Sequence, residues 1–404
     1  MERDRDISNL PDFAYHEVFK YLDYKDIRSA SLACKHWNAI SSEDIIWKPL
    51  CKFYWLLETI PDNCVTWKDA FTLFEQKYSD YINEYRHIKG AWSKIEKWYE
   101  NNCPEVLHNL QDGIDESTLE EFEKENGVFL PKDLKLSFLL HNGQSGEAEI
   151  GILGSLFEQS SFTAGNMISN FLCSFETSQE NYDNSRKMLL LNVSPDPEVL
   201  VSPAKFFLFY QKLSEADQEE NTNDIVACSR YVTGENYVAS ESYTQWLWEF
   251  AEKLASGSFA TINGQVALYD STTEVKAVTE NITVTVRWAF VPGWNQNQAR
   301  FEYFIQMEMD ETATEHEACK LESRYWIIRD DDTKHHETVS GNGVVGAYPT
   351  MKPGAKFYWQ SSTWFQNKGC MGGHFVMHRL RNPGFKINVA CPNFYMVSPW
   401  KKLN

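Results

Sequence analysis

The sequence predicts a multidomain α+β chain: a small helical unit first, a mixed α/β region in the middle, and an all-β sandwich at the end. Three observations predict it. Apolar residues recur at helical spacing over residues 10–51, helical and short strand patterns interleave from about 90 to 256, and from 268 onward the pattern alternates with period two. A length of 404 residues suits two or three domains, and a hydrophobic content of 43% is enough to fill their cores.

The formal charge of −19 argues against general phosphate-backbone binding, which needs Lys and Arg to neutralise phosphates. No nucleic-acid partner is therefore expected. No run of 18 apolar residues occurs, so no membrane span is expected. Residues 1–6 are charged and lack the apolar stretch of a signal peptide. The nine cysteines are scattered without a Cys-x-x-Cys pair, which reads as free thiols in a reducing compartment. That spacing also excludes an internal zinc-bound RING, and neither a metal nor a cofactor is expected.

In the N-terminal unit, Pro11 suits the first turn of a helix, with Ser8 or Asn9 as its cap. Val18, Phe19 and Leu22 share one helical face. A polar break at 23–26 precedes a second pattern through Ile27, Leu32, Cys34, Trp37 and Ile40. Ile46-Trp47 then stands before Pro49, which discourages further helix. A unit of this size carries more apolar residues than its own core can bury, so it is expected to dock on something.

Leu10-Pro11, Glu17-Val18, Leu22, Asp23 to Ile27, Cys34-Lys35-His36-Trp37 and Ile46-Trp47 together resemble an F-box, over residues 1–55. One departure is Phe13, where the family usually has Glu. The resemblance implies docking on the Skp adaptor of cullin–RING ubiquitin ligases, and through it contact with cullin and the RING protein. It places Leu10, Pro11, Val18, Leu22, Ile27 and Trp37 at or beneath that interface.

Residues 56–89 read as a helical linker: Trp67, Ala70, Phe71 and Phe74 fit one face. The middle domain is expected over 90–256. Asp115 caps an acidic helix that Gly127 ends, and a Pro-started helix runs from Pro131 to Leu140. His141-Asn142-Gly143-Gln144 reads as a turn. Residues 150–156, 188–193, 206–210 and 225–228 read as strands, and 176–186 and 214–224 as polar loops. A last helix holds Trp246, Leu247 and Phe250. Leu119, Phe122-Glu123, Leu130-Pro131, Phe138-Leu139 and His141-Asn142-Gly143 resemble the SUKH superfamily, the Smi-type domain, which implies a mixed α/β binding module.

Ser256-Gly257-Ser258 is a small-residue break. Beyond it Ile282, Val284, Val286 and Trp288 alternate with polar residues, and Phe301, Tyr303, Ile305, Met307 and Met309 share one strand face. Further strands are expected over 321–329, 356–359, 373–379 and 385–390, giving an antiparallel sandwich. The run 339–354, with Arg324 to Asp330 before it and Gly369 to Gly373 after it, resembles the ApaG domain over 268–404. That resemblance implies a fibronectin-III-like sandwich.

Gly341, Gly343 and Gly346 form a GxGxxG, the pattern that cradles pyrophosphate at a helix N-terminus. Pro349 and Pro353 follow too closely for a helix, so a glycine turn between strands is the better reading, with phosphate binding the weaker candidate. His335-His336 beside Asp330, Asp331 and Asp332 point to opposite faces of a strand and cannot readily chelate one ion. Trp364 and Phe365, in a stretch rich in Ser, Thr and Gln, are candidate substrate-binding aromatics on a connection between strands.

The F-box resemblance implies a non-catalytic substrate receptor of an SCF-type ubiquitin ligase, in nucleus and cytoplasm, whose later domains hold protein substrates. The alternative expectation is a phosphate- or pyrophosphate-ligand protein or enzyme built on the ApaG-like domain, with the F-box serving only its own turnover.

Overall fold

Two compact units make up the chain in the computed structural model: Met1–Ser93 with Lys132–Ser137, and Lys94–Pro131 with Phe138–Asn404. The structure describes residues 10–145, 150–157, 167–169, 171–182, 188–193, 205–209, 225–229, 237–262, 265–291, 298–399 and 401–402. The expected cap at Ser8 or Asn9 and the polar loop at 214–224 lie outside the described residues. No helix among the described residues is long and apolar enough to cross a membrane.

The first unit is helical. Asp12–Phe19 begins after Pro11, which is extended and stands at the N-cap rather than in the first turn. Asp23 caps Tyr24–Ser31 by accepting the Asp26 N–H at 2.8 Å. Lys35–Ile40 follows, and then Asp44–Trp55. Pro49 lies inside that last helix, against the sequence expectation. Its missing N–H would have served the carbonyl of Ile45; both residues are exposed, so water can satisfy that carbonyl. A capping box of Thr66 and Asp69 starts Trp67–Tyr78.

Tyr15, Phe19, Ile27, Ile40, Trp47 and Trp55 fill the core of this unit. Trp47 Nε1 donates to the Ser41 carbonyl at 2.6 Å, so the buried indole is satisfied. The helix Ile82–Asn102 runs unbroken through residue 90, where the sequence reading starts the middle domain.

In the second unit, Glu116–Asn126 ends at Gly127 as expected, though the Asp115 side chain makes no capping bond. The helix Lys132–Leu140 follows Pro131, with Lys132–Ser137 belonging to the first unit. His141–Gln144 is a strand paired with Leu110–Asp112, not the expected turn. The expected loop at 176–186 instead begins with the helix Phe175–Glu180, capped by Ser174. The 150–156 strand shortens to Ser155–Phe157, while strands at Met188–Leu190, Asn192–Val193, Lys205–Phe209 and Ile225–Ser229 match expectation. Tyr210, in the expected strand at 206–210, lies outside the described residues.

The sandwich forms as its alternation predicts. One sheet runs Val275–Thr279, Ile282–Val291, Ala299–Met309, Lys356–Phe365. The other runs His336–Asn342, Cys319–Asp330, Lys368–Arg379, Lys386–Val397. All pairings are antiparallel. Val284, Val286, Phe301, Ile305, Phe375 and Phe394 interleave between the sheets. The opposite face of Ala299–Met309 turns Phe304 to a second cluster of Ala260, Ala267, Tyr269 and Val291. Ala260, Ala267 and Tyr269 come from Phe259–Ile262 and Gln265–Asp270, which pair with each other and, through Ala267, with Ser155. The hydrogen bonding of the middle region therefore continues past residue 256, across the expected boundary at 268.

Candidate functional site

On the helical unit, Leu10, Phe13, Val18 and Tyr21 are exposed on Asp12–Phe19 and the turns beside it, while Leu32, Ile45, Phe53, Val65 and Leu73 are exposed elsewhere. Leu10, Pro11 and Val18 are exposed, and Leu22 is half-buried. Trp37 is half-buried too, held edge-on by Phe19 at 5.9 Å and Tyr15 at 6.1 Å. Ile27 is 1% exposed, so it lies beneath this surface rather than on it.

Sequence reasoning missed Phe13, Tyr21 and Leu32, all strongly exposed. Leu10, Phe13, Glu17 and Tyr21 recur at three or four residues, a helical stripe the sequence did contain. The inward face claimed Phe19 and Tyr15, and that left the outward stripe unread. The unit is braced behind this surface. Arg28 grips Glu75 through both guanidinium nitrogens, and Asp44 accepts the N–H of Trp67 at 2.8 Å.

The His141–Gln144 strand is a buried polar joint. Asn142 Oδ1 accepts the N–H of Phe175 at 2.7 Å, while its Nδ2 donates to Gln111 and Glu176. Gln144 Oε1 accepts the N–H of Ile152 at 2.6 Å. Gly143 sits at φ +67°, and a Cβ there would lie 2.2 Å from the Cys173 carbonyl oxygen. His141 Nε2 meets Glu96 at 2.8 Å. These residues hold elements together; nothing in the arrangement resembles a nucleophile and its base.

In the sandwich, Trp364 and Phe365 end the strand Lys356–Phe365 rather than lying on a connection. They point to opposite faces. Phe365 is 1% exposed and packs on Phe301 at 5.8 Å, so it belongs to the core. Trp364 is half-exposed and lies over the Arg300 guanidinium at 5.7 Å. Arg300 is itself buried and paired with buried Glu302 at 2.8 Å.

The glycine run starts at the end of the strand His336–Asn342 and turns without a helix. Gly343 N–H donates to Glu322, and Val344 and Ala347 N–H groups bond each other's carbonyls. Arg324 fills the other side, donating to the carbonyls of Asn342 and Gly343 at 3.1 and 2.9 Å. The amides of Gly343, Val344 and Ala347 are thus committed within the protein; Gly343 and Gly346 take positive φ in the turn, while Gly341 lies in the strand before it.

Asp330 and Asp332 are also structural. Asp330 accepts the N–H groups of Asp332, Thr333 and Gln366, and Asp332 those of Asn367 and Lys368. Burial raises the Asp330 carboxyl, but these hydrogen bonds outweigh it and hold its pKa below the usual carboxylate value. Among the described residues no group of three His, Cys, Asp or Glu is placed to hold a metal ion. Burial pushes the thiol of Cys51 up to about 12 and that of Cys319 to about 11, so neither is an activated nucleophile.

The F-box-like family matches residues 7–52 and the ApaG domain family residues 294–379. F-box only protein 3 of Bos taurus is 29% identical to this chain, covering 97% of it and 84% of the bovine protein. The Homo sapiens protein of that name is 28% identical, covering 97% of this chain and 83% of its own. Protein ApaG of Bradyrhizobium diazoefficiens is 37% identical over 31% of this chain and 95% of its own length.

Proposed function

The chain belongs, through its C-terminal end, to the ApaG domain family, and from that premise and the F-box-like segment at its other end we propose that it is the substrate-recognition subunit of an SCF-type ubiquitin ligase. In this reading the helical unit docks on a Skp adaptor, which connects it to cullin and the RING protein. The middle domain, read as SUKH-like, and the ApaG domain hold a protein substrate for ubiquitination and degradation, in nucleus and cytoplasm. The chain performs no bond chemistry. It raises the effective concentration of a substrate lysine at the charged conjugating enzyme.

The observation that carries this reading is the exposed apolar surface of Leu10, Phe13, Val18 and Tyr21 on a small braced helical unit. Contiguous exposed apolar residues of this kind mark a surface for binding another protein. Its anchors are exposed, so their removal tests docking without damaging the core. Purified Skp adaptor is expected to bind the chain tightly, and Leu10→Ala/Val18→Ala/Tyr21→Ala is expected to weaken binding by roughly two to four decades. Wild-type chain that fails to bind the adaptor in calorimetry would end this reading.

A further inference from the structure

We propose that the outward face of the sheet centred on Cys319–Asp330 is a docking surface for an acidic polypeptide segment. The proposal rests on the substrate-receptor reading and names the surface and the chemistry of what it holds. The two sheets of the sandwich differ in what lies outside them. Beyond Ala299–Met309, the outer face is covered: Phe304 packs with Ala260, Ala267 and Tyr269. On the other sheet, Trp326, Met371, Phe375 and Phe394 turn inward to the core. The register then sends Tyr325, Ile327 and Arg329 outward, opposite His374, Gly372 and Cys370, with Tyr395 beside Cys370 on the next strand.

This outward face is apolar, ordered and open. Ile327, Tyr395 and Val397 are 44%, 59% and 50% exposed. Tyr325 stacks on His374 with ring centroids 5.0 Å apart, making a flat aromatic platform between strands. Gly372, opposite Ile327, is buried, and the Asn393 side chain lies over it, so Ile327 stands proud of its cross-strand neighbour. A strand laid along this face would set alternate side chains against these residues.

The charge points to the occupant. The chain as a whole has 57 acidic against 38 basic residues. The outward charged side chains on these strands reverse that balance: Lys320, Arg329, Lys368 and Lys386 against Glu322 alone. Lys386 is paired with Glu322 at 2.6 Å, and Arg329 with Asp331 in the adjoining turn at 2.8 Å. Among the described residues Lys320 and Lys368 have no ion pair. Lys320 stands opposite His378 at one end of this face and Lys368 opposite Val397 at the other. A chain of −19 repels acidic partners at long range, so a local basic face selects an acidic segment only where apolar contacts align with it.

The test is a random peptide library of about twelve-residue inserts displayed on phage, selected on the full chain, with the enriched peptides titrated by fluorescence anisotropy. Acidic peptides with interspersed apolar residues are expected. Their affinity should fall about ten-fold or more in K320E/K368E, and also in I327E. Both variants change exposed side chains, and unchanged thermal melting verifies that they fold. Enriched peptides that are neutral or basic, or affinities unmoved by either variant, would overturn the proposal, as would no enrichment at all. A uridine oligonucleotide that binds this face more tightly than the acidic peptides would overturn it in favour of a nucleic-acid surface. Adaptor binding by the same variants is read separately. Its retention with peptide binding lost leaves both inferences standing, and its absence in the wild-type chain removes the ligase reading alone.

Discussion

Trp364 and Phe365 are neighbours in sequence, and a strand sends neighbours to opposite faces. Their adjacency alone meant that they could not both be exposed anchors, once the segment was known to be strand to its last residue. Phe365 fills space against Phe301, and its ring is so close to Gly369 that a Cβ there would lie 2.3 Å from Phe365 Cδ1. Phe365→Ala is therefore expected to cost about 3–5 kcal/mol of stability. Trp364→Ala removes a ring lying over the Arg300 guanidinium and is expected to cost about 1 kcal/mol. Denaturant unfolding of the two variants checks the order; equal losses would mean that the strand end is not part of the core. Ile27 teaches the same lesson on a helix. Its sequence position marks it as important to the docking unit, but only the fold separates the residue that touches a partner from the residue beneath it.

Among the elements, period decided what could be read. Over Ile282–Val291 and Ala299–Met309 alternation gave both the strands and the face each turns to the sandwich core, but not the second buried face of Ala299–Met309, where Arg300, Glu302 and Phe304 lie. His141–Gln144 was illegible for the opposite reason. Asn-Gly is a turn signal, but here the glycine supplies a positive φ inside a strand, and the Asn side chain bonds Phe175, distant in sequence. The same holds for Pro49: the rule that proline ends helices concerns a lost hydrogen bond, and that loss is small where the orphaned carbonyl faces water. It is not zero. Pro49→Ala restores an N–H to the exposed side of Asp44–Trp55 and is expected to stabilise the helical unit by roughly 1–3 kcal/mol. Thermal melting of the chain followed at helical wavelengths checks this. A lower midpoint would mean that the proline ring itself makes contacts the helix needs.

At the scale of the whole molecule, the order helical unit, mixed region, sandwich was legible from patterning, and the junctions were not. A small-residue break such as Ser256-Gly257-Ser258 marks the end of a helix; it does not mark the end of a domain unless the hydrogen bonds also stop there. They continue here: Gln265–Asp270 pairs with Phe259–Ile262, and Ala267 with Ser155, while Tyr269 donates its hydroxyl to Gln360 at 2.9 Å. These two strands thus serve the middle region by backbone pairing and the sandwich by packing on Phe304. Cutting the chain at 268 would split Gln265–Asp270 and strip the fully buried Tyr269 of half its surroundings. A fragment of residues 258–404 is therefore expected to be more stable than one of residues 271–404 by roughly 2–4 kcal/mol, the burial of about two large side chains. Their unfolding in urea, compared at equal protein concentration, decides it. Equal midpoints would place the sandwich's own limit after Asp270 and make the two strands a part of the middle region only.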